Sequence, residues 1–323
     1  MSNEKKRFRL YDWLNRDGKG VTPDDVITTP NLKGFFFRYK LNFGKLLSVN
    51  IIYVIGNALL LFLLLTFAGY TKIPFFRPTN DTFGLSQGII IASGQSMSAL
   101  ELLMGECFNT YTSGMANTTL TYVFWCISST VLLTFGCVNA GCAYVLRNIS
   151  RGEPVFVWSD FWHAVKQNYK QAIPLGIIDA VVSILLPYNI YLMLASNNNY
   201  LTSLMLWMNI AIFILYAFMR YYIYVLLVTF DLKITKIIKN ALIFSILGFK
   251  RNIVAMLGII ILILIESIFL LSGNGFLLPI AVAIPLMFLF SHGSFMAIFA
   301  SYYVIKKYMI DTLPESEQSS SEA

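Results

Sequence analysis

The sequence is poor in charge. Asp, Glu, Lys and Arg make up 13% of its 323 residues, against about 25% in an average soluble chain. Apolar residues reach 57%, and so little polarity cannot cover the surface of a water-soluble protein. Histidine is scarcer still, with only His163 and His292. The four cysteines (Cys107, Cys126, Cys137 and Cys142) show no CxxC spacing, so a zinc centre lacks its ligands. Cys107 stands apart from the other three, and no intrachain disulfide is expected. GxxxxGK[ST] and HExxH are missing, which excludes autonomous ATP hydrolysis and argues against an enzyme. No cofactor or metal is expected. The NRDGKG stretch at 15–20 is not a calcium loop, because Val26 stands where the bidentate Glu belongs. No long apolar run falls within the first 30 residues, so a signal peptide is not expected.

What is present is a set of long apolar runs, near 46–70, 119–146, 172–195, 204–230, 253–272 and 276–305. Each can cross roughly 30 Å of hydrocarbon as a helix. None alternates polar with apolar, as barrel strands would. The fold class expected is all-α, a polytopic transmembrane bundle of six spans with amphipathic cytoplasmic helices. The net charge of +7 flanks these runs, which points to membrane orientation and not to nucleic acid.

The first 45 residues carry ten basic and five acidic side chains. Further basic clusters fall at Arg147–Lys170, at Lys233–Arg251 and at Lys306–Lys307. With six spans, every cluster lies on one side, which predicts both termini in the cytoplasm of a plasma-membrane protein. A seventh span at 85–104 would invert the later loops. That segment is read as an interfacial or lid-like helix within an outer insertion, 71–117.

Residues 1–45 read as an amphipathic cytoplasmic head, with short helices at 7–15 and 34–43. Residues 154–170 and 232–250 each read as an amphipathic helix on the inner face, the first capped by Ser159 or Asp160 and the second by Asp231. The pair suggests a weak internal repeat, or simply the anchors that any two joined spans need. The acidic tail, 311–323, has no means of forming a core and is expected to be disordered.

Asp179, Arg220, Glu266 and His292 lie inside the proposed spans. Ionisable groups are costly in hydrocarbon, so each should face protein or water. At about 1.5 Å per residue, Asp179 and Arg220 fall at similar depths and can pair. The four together offer a polar centre for a solute or ion. The plain alternative is an internal ion pair with snorkelling side chains. Asn57, Asn139 and Asn209 are candidates for bonds between helices. Pro174, Pro187, Pro279 and Pro285 are candidate kinks.

One stretch is more specific. From Gly136 to Asp179, the pieces Tyr144-Val-Leu-Arg147-Asn148, Arg151-Gly152-Glu153, Val157-Trp158-Ser159-Asp160-Phe161 and Asn168-Tyr169-Lys170-Gln171 resemble the YesL-like family of bacterial membrane proteins, domain of unknown function 624. The insertion between the first two spans departs from shorter members. The resemblance implies a plasma-membrane protein associated with carbohydrate uptake, and no catalytic residues. Arg147, Arg151, Glu153, Trp158, Asp160, Phe161, Asn168 and Lys170 match its motif and offer a coupling surface for a cytoplasmic partner. The alternative is that the aromatics anchor the loop while the charges position the helices.

Four roles stay open at this point. The first is an accessory or permease-like component of carbohydrate uptake, contacting a sugar ABC transporter permease or ATPase subunit. The others are an autonomous secondary carrier, working alone or as a homodimer; a membrane sensor or scaffold; and, last, a membrane enzyme.

Overall fold

The computed structural model describes residues 31–78, 111–196, 199–271 and 283–311, with a few isolated positions between 85 and 99. The expectations for residues 1–30, for most of the 85–104 segment, for Cys107 and Pro279, and for the tail beyond 311 fall outside these.

The chain is a helical membrane bundle. Its elements are α1 (Leu32–Leu41), α2 (Phe43–Gly56), α3 (Leu60–Phe67), β1 (Lys72–Pro78), β2 (Tyr111–Asn117), α4 (Thr119–Ser129) and α5 (Val131–Arg151). They are followed by α6 (Val157–Ala195), α7 (Tyr200–Thr229), α8 (Ile234–Leu247), α9 (Phe249–Leu271) and α10 (Phe290–Ile305). α10 is flanked by π-helical turns at Pro285–Leu289 and Lys306–Ile310. Among the described residues, five helical stretches are long and apolar enough to cross a membrane: α4 with α5, α6, α7, α9, and α10 with its flanking turns. α2 and α3 together make a sixth if taken as one span bent by 64°. Gly56 and Asn57, poor helix formers, stand at that bend. Between α4 and α5, the hydroxyls of Ser129 and Thr130 donate to the Cys126 and Ile127 carbonyls at 2.7 and 2.6 Å. Such local bonds compete with the helical ladder.

α5 and α6 form the closest pair. Gly136 and Gly176 meet backbone to backbone, so that a Cβ on either would strike the facing main chain. Small residues permit this approach where lipid gives helices little other reason to associate. Ala140 and Ala172 are fully buried. α10 is mostly buried and packs against α2, α5, α7 and α9.

The structure differs from the sequence reading in four places. First, the amphipathic segment at 154–170 is not a separate helix. It is the opening of α6, a continuous 39-residue rod about 58 Å long at the helical rise. Nothing between Val157 and Ile173 breaks a helix, and the interior Pro174 and Pro187 are tolerated where neighbouring helices support the freed backbone. Asp160 does act at the start, accepting from the Phe156 N–H at 3.0 Å. Second, α8 is separated from α9 at Gly248, so the two inner segments are not built alike. The position before α8 is held by Lys233 without a side-chain bond, and not by Asp231. Third, β1 and β2 pair antiparallel, Lys72 opposite Asn117 through Pro78 opposite Tyr111. The sequence reading had no strand here, because pairing across 32 intervening residues leaves no local signal. Fourth, Asn57 and Asn139 do not bridge helices. They bond back to the Tyr53 and Phe135 carbonyls at 2.9 and 2.8 Å. Asn209 does the same to Met205 at 3.0 Å, and also reaches the Met193 sulfur on α6 at 3.4 Å.

The bridging asparagine is Asn50, which is fully buried on α2. Its Nδ2 donates to the Leu286 carbonyl at 2.6 Å, and its Oδ1 accepts from the Ser291 N–H at 2.8 Å. Those two backbone groups are five residues apart, one inside the π-helical turn and one just past it. The amide of α2 is thus inserted into the ladder, a recognised cause of a helix irregularity. Asn50→Leu would leave both groups unpaired in a buried site, each costing about 1–3 kcal/mol. The expected result is a clear drop in thermal unfolding temperature of the detergent-purified protein, with Asn50→Gln recovering little because its amide sits one methylene too far.

Candidate functional site

Asp179 is 1% exposed in the middle of α6. Four donors surround it. The Tyr216 hydroxyl donates to Oδ1 at 2.6 Å and the Tyr224 hydroxyl to Oδ2 at 2.8 Å. The Ser183 hydroxyl donates to Oδ1 at 3.3 Å. The Arg220 Nε stands 2.8 Å from Oδ1, a close ion contact with the N–H not aligned on the carboxylate. The local cause is helix spacing. Tyr216, Arg220 and Tyr224 are four apart along α7, and Asp179 and Ser183 four apart along α6, so each set shares a face.

Beside this cluster lies a cavity of about 500 Å³, bounded by residues from α2, α5, α6, α7, α9, α10 and the π-helical turn before α10. Arg220, Tyr216, Tyr224 and Ser183 lie on its wall with Tyr53, Asn139 and Ser294, and the rest of the lining is largely apolar. Asp179 is not on the wall; it stands behind. The volume falls within the range of small-molecule pockets.

The four sequence candidates therefore separate. Asp179 and Arg220 come together. Glu266, 6% exposed, is not among the residues lining the cavity. His292, 1% exposed, sits elsewhere, with ring centroids of Tyr39, Phe43 and Phe288 at 5.4, 5.5 and 5.4 Å. Its Nδ1 lies 2.6 Å from the Phe288 carbonyl, and its Nε2 has no partner among the described residues. A single polar centre of all four is not formed, because His292 faces the α1–α2 aromatics and not α6 and α7. The sequence reading missed Tyr216, Tyr224 and Ser183 as partners, although their i, i+4 spacing about Arg220 and Asp179 was available.

The candidate coupling surface also divides. Arg147 is 7% exposed and serves the fold. It donates to the Val228 carbonyl at 2.7 Å, the Thr229 hydroxyl at 3.2 Å and the Asn148 amide oxygen at 3.0–3.1 Å, and its guanidinium lies 4.6 Å from the Tyr144 ring centroid. It thereby closes the end of α7. Phe161 is buried against Gly141. Neither offers a docking surface, because each fills space between helices. Arg151 pairs with Glu153 at 2.7 Å, on either side of Gly152, whose φ of +83° ends α5. Asn168 is half-buried and donates to the Ala164 carbonyl at 2.9 Å. Asp160 is also half-buried. Trp158 and Lys170 are exposed, along with Trp162 and Tyr169.

Cys126, Cys137 and Cys142 are free thiols. Among the described residues no cluster of His, Cys, Asp or Glu can hold a metal ion.

Residues 115–190 match the model of a family described as "Protein of unknown function, DUF624". No curated protein and no solved structure matches the chain. The matched stretch runs from β2 through α4 and α5 into α6. It takes in Asp179, Ser183 and the Gly136–Gly176 crossing, while Tyr216, Arg220 and Tyr224 lie beyond it. Over residues 115–190 the chain is therefore similar to the DUF624 family, whose function is unknown.

Proposed function

We propose that the protein binds a small solute within the membrane, in the cavity beside Asp179 and Arg220, and acts as a secondary carrier. The observation that carries this reading is the placement of a charged guanidinium on the wall of a cavity of about 500 Å³ between spans. Intramembrane ionisable groups ordinarily mark a substrate or ion pathway. Pro187 on the same wall lies within a helix that a carrier would have to flex. The basic clusters support a reading with both termini on the cytoplasmic side of the cell membrane, by the positive-inside rule.

The test is uptake by proteoliposomes from a mixed pool of sugars, sugar acids, amino acids and organic acids, read by mass spectrometry of the lumen. Wild-type vesicles should enrich at least one class. Ser294→Trp, which fills the cavity from α10, should reduce that enrichment at least tenfold. Identical lumens for the two proteins would sink the carrier reading.

A second reading has its own support. α6 is about 58 Å long against roughly 30 Å of hydrocarbon, and its first turns expose Trp158, Trp162 and Tyr169. That end suits a cytoplasmic partner, such as a subunit of a carbohydrate importer to which this chain would be accessory. Crosslinked purification from native membranes, compared with Trp158→Ser/Trp162→Ser, tests it. A partner captured equally by both proteins would refute docking at this end.

A further inference from the structure

Resting on the cavity reading, we infer that the solute is an amphipathic anion: a carboxylate or phosphate head held by Arg220, with a largely apolar body.

The charge balance of the cavity comes first. Among the described residues that line it, Arg220 alone carries a formal charge. Its counter-ion, Asp179, is 1% exposed and stands behind the wall. The Asp179 carboxylate is also occupied by its own donors, with Tyr216 and Ser183 on Oδ1 and Tyr224 on Oδ2. The face presented to the cavity is therefore positive, although the pair as a whole is neutral.

The geometry of the guanidinium comes second. Asp179 is met through Nε, and Nε is shut away from solvent. The side chain nevertheless remains 36% exposed, so its exposure belongs to the rest of the group. Among the described residues, no hydrogen bond is made by Nη1 or Nη2. Two parallel N–H donors from one guanidinium match a carboxylate or phosphate edge, the strongest pairing that Arg makes. A buried carboxylate that grips Nε and leaves the fork open holds the receptor group in place before a ligand arrives.

The remaining wall comes third. Phe213, Ile259, Ile263, Leu289 and Phe290 line it. A sugar would need a hydrogen-bond partner for most of its hydroxyls. On this wall the Tyr216, Tyr224 and Ser183 hydroxyls already donate to Asp179 and the Asn139 amide to the Phe135 carbonyl, and a buried polar group left unpaired costs about 1–3 kcal/mol. An acid with a hydrocarbon body satisfies both ends of the site. The same chemistry can come from the bilayer, as an anionic lipid, or from water, as a medium-chain acid.

The experiment uses the purified full-length protein. Equilibrium binding of octanoate is compared with that of octanamide, which has the same body and no charge. Native mass spectrometry, in parallel, scores retention of phosphatidylglycerol against phosphatidylcholine. The variants are Asp179→Asn/Arg220→Gln, which keeps the site neutral and the tyrosine bonds available, and Ser294→Trp. Octanoate should bind at least tenfold more tightly than octanamide, and the double variant should lose that preference. Phosphatidylglycerol retained by wild type and released by the double variant assigns the head group to the bilayer, and octanoate preference alone assigns it to water. Either supports the proposal. Equal binding of acid and amide together with no preference for phosphatidylglycerol, or a preference in either arm that survives in the double variant, overturns it. If Ser294→Trp then still abolishes binding of both probes, the cavity reading stands while the anion fails. If neither arm shows binding, the anion is overturned, and the proteoliposome pool separately decides the carrier reading.

Discussion

Replacing Asp179 with alanine is expected to cost about 3–5 kcal/mol, the range for breaking one side of a buried ion pair. Arg220 would keep its charge within the bundle with no counter-ion, and the Tyr216 and Tyr224 hydroxyls would lose the oxygens at 2.6 and 2.8 Å that they now bond. Cavity access of the Arg220 side chain puts the charge penalty toward the lower end, while the two hydroxyls add about 1 kcal/mol each. Two companion variants separate these contributions. Asp179→Asn keeps oxygen and shape while removing charge, and should lose less. Asp179→Leu/Arg220→Met removes both charges and should recover the larger part, short of the share owed to the tyrosines. Thermal unfolding followed by fluorescence-detected size exclusion measures all three. An Asp179→Ala protein as stable as wild type would mean that the ion pair contributes nothing to the fold.

The second large effect is steric. Gly136→Ala places a methyl against the Ala172 carbonyl and the Gly176 main chain, and Gly176→Ala places one against the Gly136 nitrogen and Cα. A side chain can rotate away from such a contact, but backbone cannot. The helices must part along their length, and overpacking on this scale costs about 3 kcal/mol or more. Neither variant should yield a monodisperse protein. Gly44→Ala is the control, since a Cβ there meets nothing within 4 Å. Normal expression and unfolding of Gly136→Ala would show that α5 and α6 are not in backbone contact.

How far the molecule could be read from its sequence depended on range. The spans were legible because hydrocarbon thickness imposes a length that few other structures need. Asp179 and Arg220 were legible because charge in an apolar run has few reasons to exist. α6 was cut short in the reading at Lys170, where polarity changes, yet a change of solvent along a rod does not end a helix. The Asn50 clamp had no visible signal: its partners lie 236 and 241 residues away, and one asparagine among several looks like any other. Arg147 was read as surface because it is charged and near a membrane edge. Its four hydrogen bonds instead serve the Val228 carbonyl and Thr229 hydroxyl where α7 ends and the neighbouring Asn148 amide oxygen, a demand that only the packed helices reveal.

The length of α6 has a mechanical consequence. A helix resists bending except where its ladder is cut, and proline at position i removes the bond to the carbonyl at i−4. Pro174 and Pro187 thus release the Lys170 and Ser183 carbonyls on either side of Asp179. Trp158, near the tip, lies 21 residues from Asp179, about 32 Å along the axis. Force applied at that exposed tip would travel down a stiff lever and be spent at two soft joints that bracket the carboxylate, turning a push outside the hydrocarbon into a tilt of Asp179 against Arg220.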